Sequence, residues 1–216
     1  MPRDSLRPRK LRYGVAINDA PYKVRENGAL CPIYTCWDNM LRRCYDPTVQ
    51  NKHPTYVDCT VCEEWLRFSN FHTWMVSQDW EGKALDKDLL GGDSKIYAPE
   101  HCCFISKALN SNLKDFQSGL YPLGVNYKQK SSDMRKELKR PYEARISIDG
   151  KRKQLGVYET PYEAHRAWQL AKIEVLKSFA SDLEPILAQA VLQIANQVMG
   201  DYMTGIATTK LTRRGK

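Results

Sequence analysis

One stretch of the sequence, residues 85–110, carries side chains that can hold a metal ion and move a proton. Asp86 and Lys87 stand together near its start, and His101 and Asn110 lie towards its end. Carboxylate and amide oxygens are ligands that Mg²⁺ prefers, and an imidazole accepts protons near neutral pH. These residue types suit metal-assisted hydrolysis, with Asp86 and Asn110 as expected metal ligands and His101 as the expected base.

Lys87 is a second candidate catalytic residue, although an ammonium beside Asp86 repels a divalent cation. It can accept a proton only if its pKa is strongly depressed. Otherwise its ammonium group is suited to binding a DNA phosphate. The same residues also have a purely structural interpretation. In that interpretation Asp86, Lys87 and Asp88 form a surface ion pair, and His101 is an ordinary strand residue.

Two strands and a helix are needed to bring these side chains together. The sequence predicts a first strand at residues 84–90, a turn at 91–94, a second strand at 101–105 and a helix at 106–113. Upstream, apolar residues recur at helical spacing from Pro32 and predict a core helix. Arg42 and Arg43 lie outside its apolar stripe, so they form a basic face that we expect to bind phosphate groups.

Aromatic, cysteine and acidic residues follow one another in a distinctive order over residues 32–113. They are Trp37, Met40, Arg43, Cys44, Tyr45, Cys62, Glu64, Trp65, Phe68, Phe71, Asp86, Asp88, Tyr97, Pro99, Glu100, Cys102, Phe104 and Asn110. The pattern resembles phage proteins of the HNH homing-endonuclease group. This resemblance implies a ββα nuclease domain over residues 31–115 that hydrolyses DNA phosphodiesters with Mg²⁺ or another divalent ion. The chain departs from the HNH pattern where Lys87 replaces the histidine base and His101 replaces the asparagine that opens the second strand.

The composition favours a polyanionic partner. Lys and Arg total 33 against 25 Asp and Glu, which gives a net charge of +8 and a pI near 9.1. This balance is typical of proteins that bind nucleic acid. No apolar run approaches the roughly 20 residues of a membrane span, and the basic N-terminus lacks an apolar signal core. We therefore expect a cytoplasmic protein without a membrane partner, in a host bacterial cytoplasm if the resemblance to phage proteins holds.

The cysteines favour buried thiols over a zinc site. Seven cysteines cannot all pair within the chain, and Cys102 and Cys103 are neighbours, which suits a reducing compartment. Cys59 and Cys62 have the spacing of half a zinc site. They lie in a predicted strand, where residues three apart point to opposite faces, and no glycine turns the chain between them. We therefore expect no zinc.

The sequence after residue 120 predicts a three-stranded antiparallel sheet packed on one helix. The segments GVNYK, YEARISI and KQLGVY have the composition and alternation of strands. Asp149 and Gly150 predict the hairpin turn between the second and third strands.

Two capping patterns predict the helices that follow the sheet. Thr160 and Glu163 form a capping box at the start of the first helix. Ser181 and Glu184 repeat the pattern at the start of a second, apolar helix, for which Gly200 is the predicted stop. We expect this C-terminal helix to pack on its own chain, because its sequence specifies no heptad seam.

Alternation along the strands separates a helix-facing side of the sheet from an exposed side. The exposed side is expected to carry Asn126, Lys128, Arg145, Ser147, Arg152 and Gln154. In the third strand we expect Leu155 and Val157 to face the helix, and Gly156 to join the exposed side. From residue 124 to residue 153, ten Lys and Arg against four Asp and Glu give a net charge of +6. The exposed side chains are of types that reach phosphates and base edges in a major groove.

The segments GVN, YEARI, LGVY, T-P-x-E-A, AW and AK follow one another in this order over residues 121–180. Their order resembles the Apetala/ethylene-response-factor type DNA-binding domain, in which three strands pack on one helix and the sheet docks in the major groove. The resemblance implies DNA contacts from Asn126, Arg145, Ser147, Arg152 and Gln154. Because Asn126 and Gln154 replace arginine and tryptophan residues of the plant domain, base specificity does not carry over.

These elements predict an α+β protein in four parts. They are a flexible basic arm over residues 1–30, the HNH-like domain over 31–115, the DNA-binding domain over 120–180, and a C-terminal helix with a basic tail over 181–216. We expect a homing endonuclease that binds double-stranded DNA through the sheet and cuts it at the metal site. The alternative is a catalytically inactive, sequence-specific DNA-binding regulator that keeps the HNH-like scaffold. An RNA-binding accessory factor stays open as a third class, as does the oligomeric state.

Overall fold

The computed structural model describes residues 10–114, 120–128, 138–148 and 150–211. The fold mixes helices with small sheets, so the predicted α+β class is confirmed at this level. The chain divides into two compact units, the first ending at Phe104 and the second beginning at Ile105. No helix in the described ranges has the length and apolar content that a membrane span requires. Several predictions lie outside the described residues, namely those for residues 1–9, 129–137, 149 and 212–216.

The first unit combines short helices with two-stranded sheets. Its helices are α1 (Pro32–Tyr45), α2 (Pro47–Lys52), α3 (Phe68–Val76) and α4 (Asp88–Gly91). Its strands are β1 (Arg25–Glu26), β2 (Ala29–Leu30), β3 (Thr60–Val61), β4 (Ala84–Asp86), β5 (Ile96–Tyr97) and β6 (Cys103–Ile105), the last of which ends one residue into the second unit. Strand β1 pairs with β2, β3 pairs in parallel with β5, and β4 pairs with β6.

An aromatic core holds the first unit together. Helix α1 buries its predicted apolar stripe, and Trp37 is fully inaccessible to solvent. Its indole Nε1 donates a 2.7 Å hydrogen bond to the carbonyl oxygen of Trp65, which links α1 to the chain ahead of α3. Phe68 and Phe71 of α3 are also fully buried in this cluster. The predicted core role of α1 is therefore confirmed, and the rings of Trp37, Phe68 and Phe71 are not exposed for stacking on bases.

The segment after β4 forms a helical turn where the sequence predicted a longer strand. Strand β4 ends at Asp86, and α4 begins two residues later. The Asp86 carboxylate accepts hydrogen bonds from the backbone N–H groups of Asp88, at 3.0 Å, and Leu89, at 2.8 Å. A side chain that satisfies the first free amides of a helix favours helix initiation, which explains why the strand stops at residue 86.

The second unit contains the sheet and two long helices. Its helices are α5 (Lys107–Leu113), α6 (Pro161–Ala180) and α7 (Pro185–Thr204), and its strands are β7 (Val125–Tyr127), β8 (Tyr142–Ile148) and β9 (Lys151–Tyr158). The strands are antiparallel in the order β7-β8-β9. Val125 and Ala144 of the sheet pack with Ala164 of α6, so α6 covers one face. Helix α7 packs against α6, as predicted for a C-terminal helix that stays on its own chain.

Helix α6 begins where the sequence predicted, but α7 begins differently. Glu163 N–H donates to the Thr160 hydroxyl at 3.2 Å, and Thr160 N–H donates to the Glu163 carboxylate at 3.1 Å. The second predicted capping box is wrong, because Ser181 ends α6 and Glu184 precedes α7 without a side-chain capping bond. Pro185 starts α7 instead, since its fixed φ suits the first helical position and its missing N–H needs no partner there.

The chain beyond α7 returns to α6. Helix α7 continues past Gly200, the predicted stop, and ends before Gly205, whose φ of +73° is left-handed. Thr208 then donates its backbone N–H to Nε2 of His165 at 3.0 Å, and both residues are almost completely buried. On the other side of the ring, Nδ1 of His165 donates to the carbonyl oxygen of Leu123 at 2.8 Å. The neutral imidazole therefore joins the C-terminal segment to the chain ahead of β7.

A β-bulge reverses the faces of part of β9. The register pairs Ala144 with Gly156, Arg145 with Gln154, and Glu143 with Val157. Leu155 is skipped, and a skipped residue shifts the alternation of the residues beyond it. Gly156 therefore lies on the face that packs on α6 and Val157 on the opposite face, so the predicted faces of these two residues are wrong. A Cβ atom at Gly156 would lie 2.8 Å from the Tyr158 hydroxyl, so a larger residue there would have to displace the Tyr158 ring.

Candidate functional site

The face of the sheet opposite α6, called the outer face below, gathers the predicted DNA-contact residues of the strands. Cross-strand partners share a face, and the register pairs Asn126 with Glu143, Arg145 with Gln154 and Ser147 with Arg152. Lys128 follows directly after β7 and reaches the same face through its ammonium group, which lies 3.7 Å from Glu143. The structure therefore brings all six predicted residues together.

Glu143 also lies on the outer face, opposite Asn126, and it is not among the predicted contact residues. It is 1% exposed although it carries a charge. Its Oε2 lies 2.5 Å from the guanidinium of Arg145, and its Oε1 lies 3.7 Å from the ammonium of Lys128. The signal in the sequence was the spacing of Glu143 and Arg145, because residues two apart in a strand share a face.

The buried carboxylate changes the electrostatics of the outer face. Lys128, Arg145 and Arg152 against Glu143 leave a net charge of +2, and two of the three cations are paired with the acid. Oε2 makes no hydrogen bond among the described residues despite its closeness to Arg145, so the ion pair is not aligned as a hydrogen bond. Arg152 is exposed and has no carboxylate partner in the described part of the chain, which leaves it free to contact a ligand.

Asp86 keeps one carboxylate oxygen for a ligand. Its Oδ1 caps α4, whereas Oδ2 makes no hydrogen bond with any of the described residues. The side chain is half-buried, and burial raises its pKa, with the charge of Asp88 acting in the same direction. A nearby cation stabilises the charged form of such a partly desolvated carboxylate more than it stabilises a fully solvated one.

Lys87 is held by the protein. It is 7% exposed, its ammonium donates to the carboxylate of Asp88 and to the carbonyl oxygen of Ser94 at 3.0 Å, and it lies 5.8 Å from the centre of the Tyr97 ring. Burial lowers its pKa, but the hydrogen bond and charge of Asp88 outweigh that effect, and the net shift is upward. Lys87 therefore stays protonated at neutral pH, so the depressed pKa that a lysine base requires is absent.

His101 lies in the turn before β6. Its Nδ1 is 3.0 Å from the Ser94 hydroxyl and 3.3 Å from the carbonyl oxygen of Ile96. Because a carbonyl oxygen can only accept, the contact with Ile96 favours a proton on Nδ1 and a lone pair on Nε2. Nε2 makes no hydrogen bond among the described residues, so it is available as a proton acceptor.

Helix α4 connects the surroundings of Asp86 and His101. Asp86 caps its first turn, and Gly91 at its last position packs against the His101 side chain, where an added Cβ would lie 3.0 Å from the His101 Cβ. A helix of four residues is about 6 Å long at a rise of 1.5 Å per residue. The carboxylate and the imidazole thus flank one short helix of the first unit.

Asn110 belongs to a different part of the molecule. It lies half-buried on α5 in the second unit, whereas Asp86 and His101 lie in the first. On the same helix Asn112 is the buried residue, and its side-chain and backbone oxygens both accept hydrogen bonds from the ammonium of Lys172. Asn112 is therefore committed to the interior of the second unit.

Nowhere in the described ranges do three or more His, Cys, Asp or Glu side chains approach closely enough to hold a metal ion. Burial raises the pKa of Cys36 to about 11 and the pKa values of Cys44 and Cys103 to about 12. Burial therefore keeps these three thiols protonated at neutral pH.

Arg42 and Arg43 line a cavity of about 610 Å³ beside α1 and α2. Arg42 is exposed, and Arg43 is half-buried with its guanidinium 5.7 Å from the centre of the Tyr56 ring. Both arginines therefore face a concave surface of the first unit.

The chain matches no protein-family model, no curated protein sequence and no solved structure. The resemblances drawn from sequence motifs therefore stay predictions, as do the roles that they imply. Support for a function comes from the outer face of the sheet, from the surroundings of α4 and from the basic cavity.

Proposed function

We propose that the chain binds double-stranded DNA through the outer face of its sheet. The observation that carries this proposal is the shared face of the six predicted contact residues, on which Arg152 is exposed without a carboxylate partner among the described residues. In a major groove, arginine side chains reach guanine bases and glutamine side chains reach adenine bases. Both types of side chain also reach phosphate oxygens. The resemblance of residues 121–180 to the Apetala/ethylene-response-factor type domain supports the same partner.

A salt titration of duplex binding tests this proposal. The logarithm of the binding constant falls linearly with the logarithm of salt concentration, by about 0.9 for each phosphate that the protein neutralises. If Arg152 contacts a phosphate, Arg152→Gln weakens binding and lowers this slope by about 0.9, as measured by fluorescence anisotropy with a labelled duplex. Lys177→Gln removes an exposed cation of α6 and serves as the control. Equal salt slopes for the two variants would count against DNA binding through the outer face.

The proposal extends to hydrolysis of DNA phosphodiesters in the first unit, by an HNH-like site of the homing type. Asp86 Oδ2 would bind the divalent ion, and His101 Nε2 would take a proton from the attacking water. Mg²⁺, when bound, supplies positive charge that stabilises the phosphate in the transition state. The resemblance also implies Asn110 as a metal ligand, but this residue belongs to the second unit, so the proposal rests on Asp86 and His101. The free Oδ2 of Asp86 and the free Nε2 of His101 support these roles.

A second candidate function is a DNA-binding regulator that keeps the nuclease scaffold without its activity. The state of Lys87 favours it, because a buried, protonated lysine occupies the position of the family's histidine base and cannot replace it. In this case the first unit retains the fold, and DNA binding alone is the function.

Incubation of supercoiled DNA with the protein and Mg²⁺ separates the two candidates. The endonuclease gives nicked or linear DNA, whereas the regulator leaves supercoils intact and retards the DNA in a gel. Asp86→Asn preserves the oxygen that caps α4 but removes the charge, so it should abolish cutting and leave binding unchanged. Asp79→Asn changes an exposed carboxylate that pairs with Lys83 and is the matched control. Cutting by Asp86→Asn at the parental rate would exclude this site.

A further inference from the structure

The basic cavity of the first unit has the size of a small-molecule site. It measures about 610 Å³ and lies between the end of α1, helix α2 and the turn that follows it. Binding sites for small ligands commonly span about 300–1,000 Å³. The charged and aromatic residues that line the cavity are Arg42, Arg43, Asp46, Lys52, His53 and Tyr56.

The charges that line the cavity favour an anion. Arg42, Arg43 and Lys52 contribute three positive charges, and within the described residues none of them pairs with a carboxylate. Asp46 is the one acid in the lining, and its Oδ1 already accepts the backbone N–H of Thr48 at 2.8 Å. The three cations and the one carboxylate give the lining of the cavity a net charge of +2, which an anionic ligand would neutralise.

Flat groups in the same wall favour a ligand with a planar ring. The guanidinium of Arg43 lies 5.7 Å from the centre of the Tyr56 ring. The centres of the His53 and Tyr56 rings are 6.1 Å apart, and the angle between the two ring planes is 67°. Aromatic rings and guanidinium planes are the surfaces on which proteins stack unpaired bases. An inorganic anion would use the cations of the cavity but not these rings.

We propose that the cavity binds one nucleotide, with its phosphate on Arg42 and Lys52 and its base against Tyr56 and His53. The nucleotide is either free in solution or an unpaired unit of a bound strand. This inference deepens the proposed function and rests on it in the second case, because an unpaired unit reaches the cavity only if the chain binds nucleic acid.

Calorimetric titration of the full chain with deoxyadenosine monophosphate, deoxyadenosine and inorganic phosphate tests the chemistry of the cavity. If the phosphate and the base both contribute, the monophosphate should bind roughly tenfold more tightly than either fragment. Arg42→Gln combined with Lys52→Gln should weaken binding of the monophosphate by roughly tenfold to a hundredfold. Lys10→Gln combined with Lys23→Gln removes two exposed charges outside the cavity and should leave binding unchanged.

Anisotropy with a short single-stranded oligonucleotide and with a duplex identifies the source of the nucleotide. A free-nucleotide site shows the calorimetric preference for the monophosphate. A strand site shows weaker oligonucleotide binding in the Arg42→Gln, Lys52→Gln variant than in the control variant. The inference is overturned if neither effect occurs, or if inorganic phosphate binds measurably and as tightly as the monophosphate. If the inference about the cavity fails but the parent protein still binds duplex DNA, the proposed function is retained. If the parent protein does not bind duplex DNA, the proposed function is wrong.

Discussion

The substitution Gly124→Ala should destabilise the sheet far more than the same substitution at Gly150. Both glycines have left-handed backbone conformations, with φ of +77° and +73°. A Cβ atom at Gly124 would lie 2.0 Å from Cδ1 of Trp168, whereas a Cβ atom at Gly150 would meet nothing within 4 Å. The pair therefore separates the cost of the backbone conformation from the cost of the steric clash.

The magnitude follows from what surrounds the Trp168 ring. A left-handed conformation costs a residue with a Cβ about 1–2 kcal/mol, and this cost applies to both variants. Overpacking adds about 1–3 kcal/mol, because Trp168 is 5% exposed and its ring stacks on His165 at 5.4 Å, which opposes displacement. We expect a loss of about 3 kcal/mol or more for Gly124→Ala and about 1 kcal/mol for Gly150→Ala.

Hydrogen exchange of the amides of β8 measures this difference within the second unit. The carbonyl oxygen of Gly124 accepts the N–H of Arg145 at 2.9 Å, so displacement of residue 124 should also disturb the outer face. Gly124→Ala should therefore show faster exchange in β8 and weaker duplex binding, and Gly150→Ala should stay close to the parent. Equal loss of protection in the two variants would refute the steric argument.

Two further predictions concern ionisable groups of the second unit. Burial lowers the pKa of His165 below its usual 6.5, and its neutral Nε2 accepts the N–H of Thr208. The contribution of His165 to stability is therefore complete above pH 6.5 and declines as the pH falls from 6.5 towards the folded-state pKa. Urea unfolding at several pH values should show this decline in the parent protein and a weaker decline in His165→Gln. Separately, Glu143→Gln removes the acid of the outer face, so duplex affinity should rise and the salt slope should steepen by about 0.9 per additional phosphate contact. Glu174→Gln, which changes an exposed acid on α6, should alter neither quantity in the same titration.

Local signals in the sequence predicted those parts of the fold that depend on neighbouring residues. The capping box of Thr160 and Glu163 was correct because both of its hydrogen bonds lie within one turn of helix. The same pattern failed at Ser181, where α6 was still continuing and Pro185 offered a stronger start. The bulge at Leu155 was not predictable from alternation, because the register of β9 depends on packing against β8 and α6.

The candidate site shows the same division between local and long-range information. The outer face was predictable because side chains alternate along a strand, and the bulge begins only after Gln154. The burial of Lys87 was not predictable, since it depends on Asp88, Ser94 and Tyr97 enclosing the ammonium from separate elements. Sequence proximity to Asp86 suggested catalysis, whereas the contacts of Lys87 are those of a residue that holds α4 in place.

The buried acid of the outer face has a consequence for how the sheet would distinguish DNA sequences. A face with three unpaired cations would bind any duplex through its phosphates, and that attraction carries no sequence information. Glu143 removes part of this attraction and, at the same time, restricts the orientations that Arg145 and Lys128 can adopt. A side chain with fewer orientations loses less entropy when it contacts a base edge. If the outer face binds DNA as proposed, the carboxylate would reduce general affinity while favouring contacts with a defined geometry, and geometry is what selects one base pair over another.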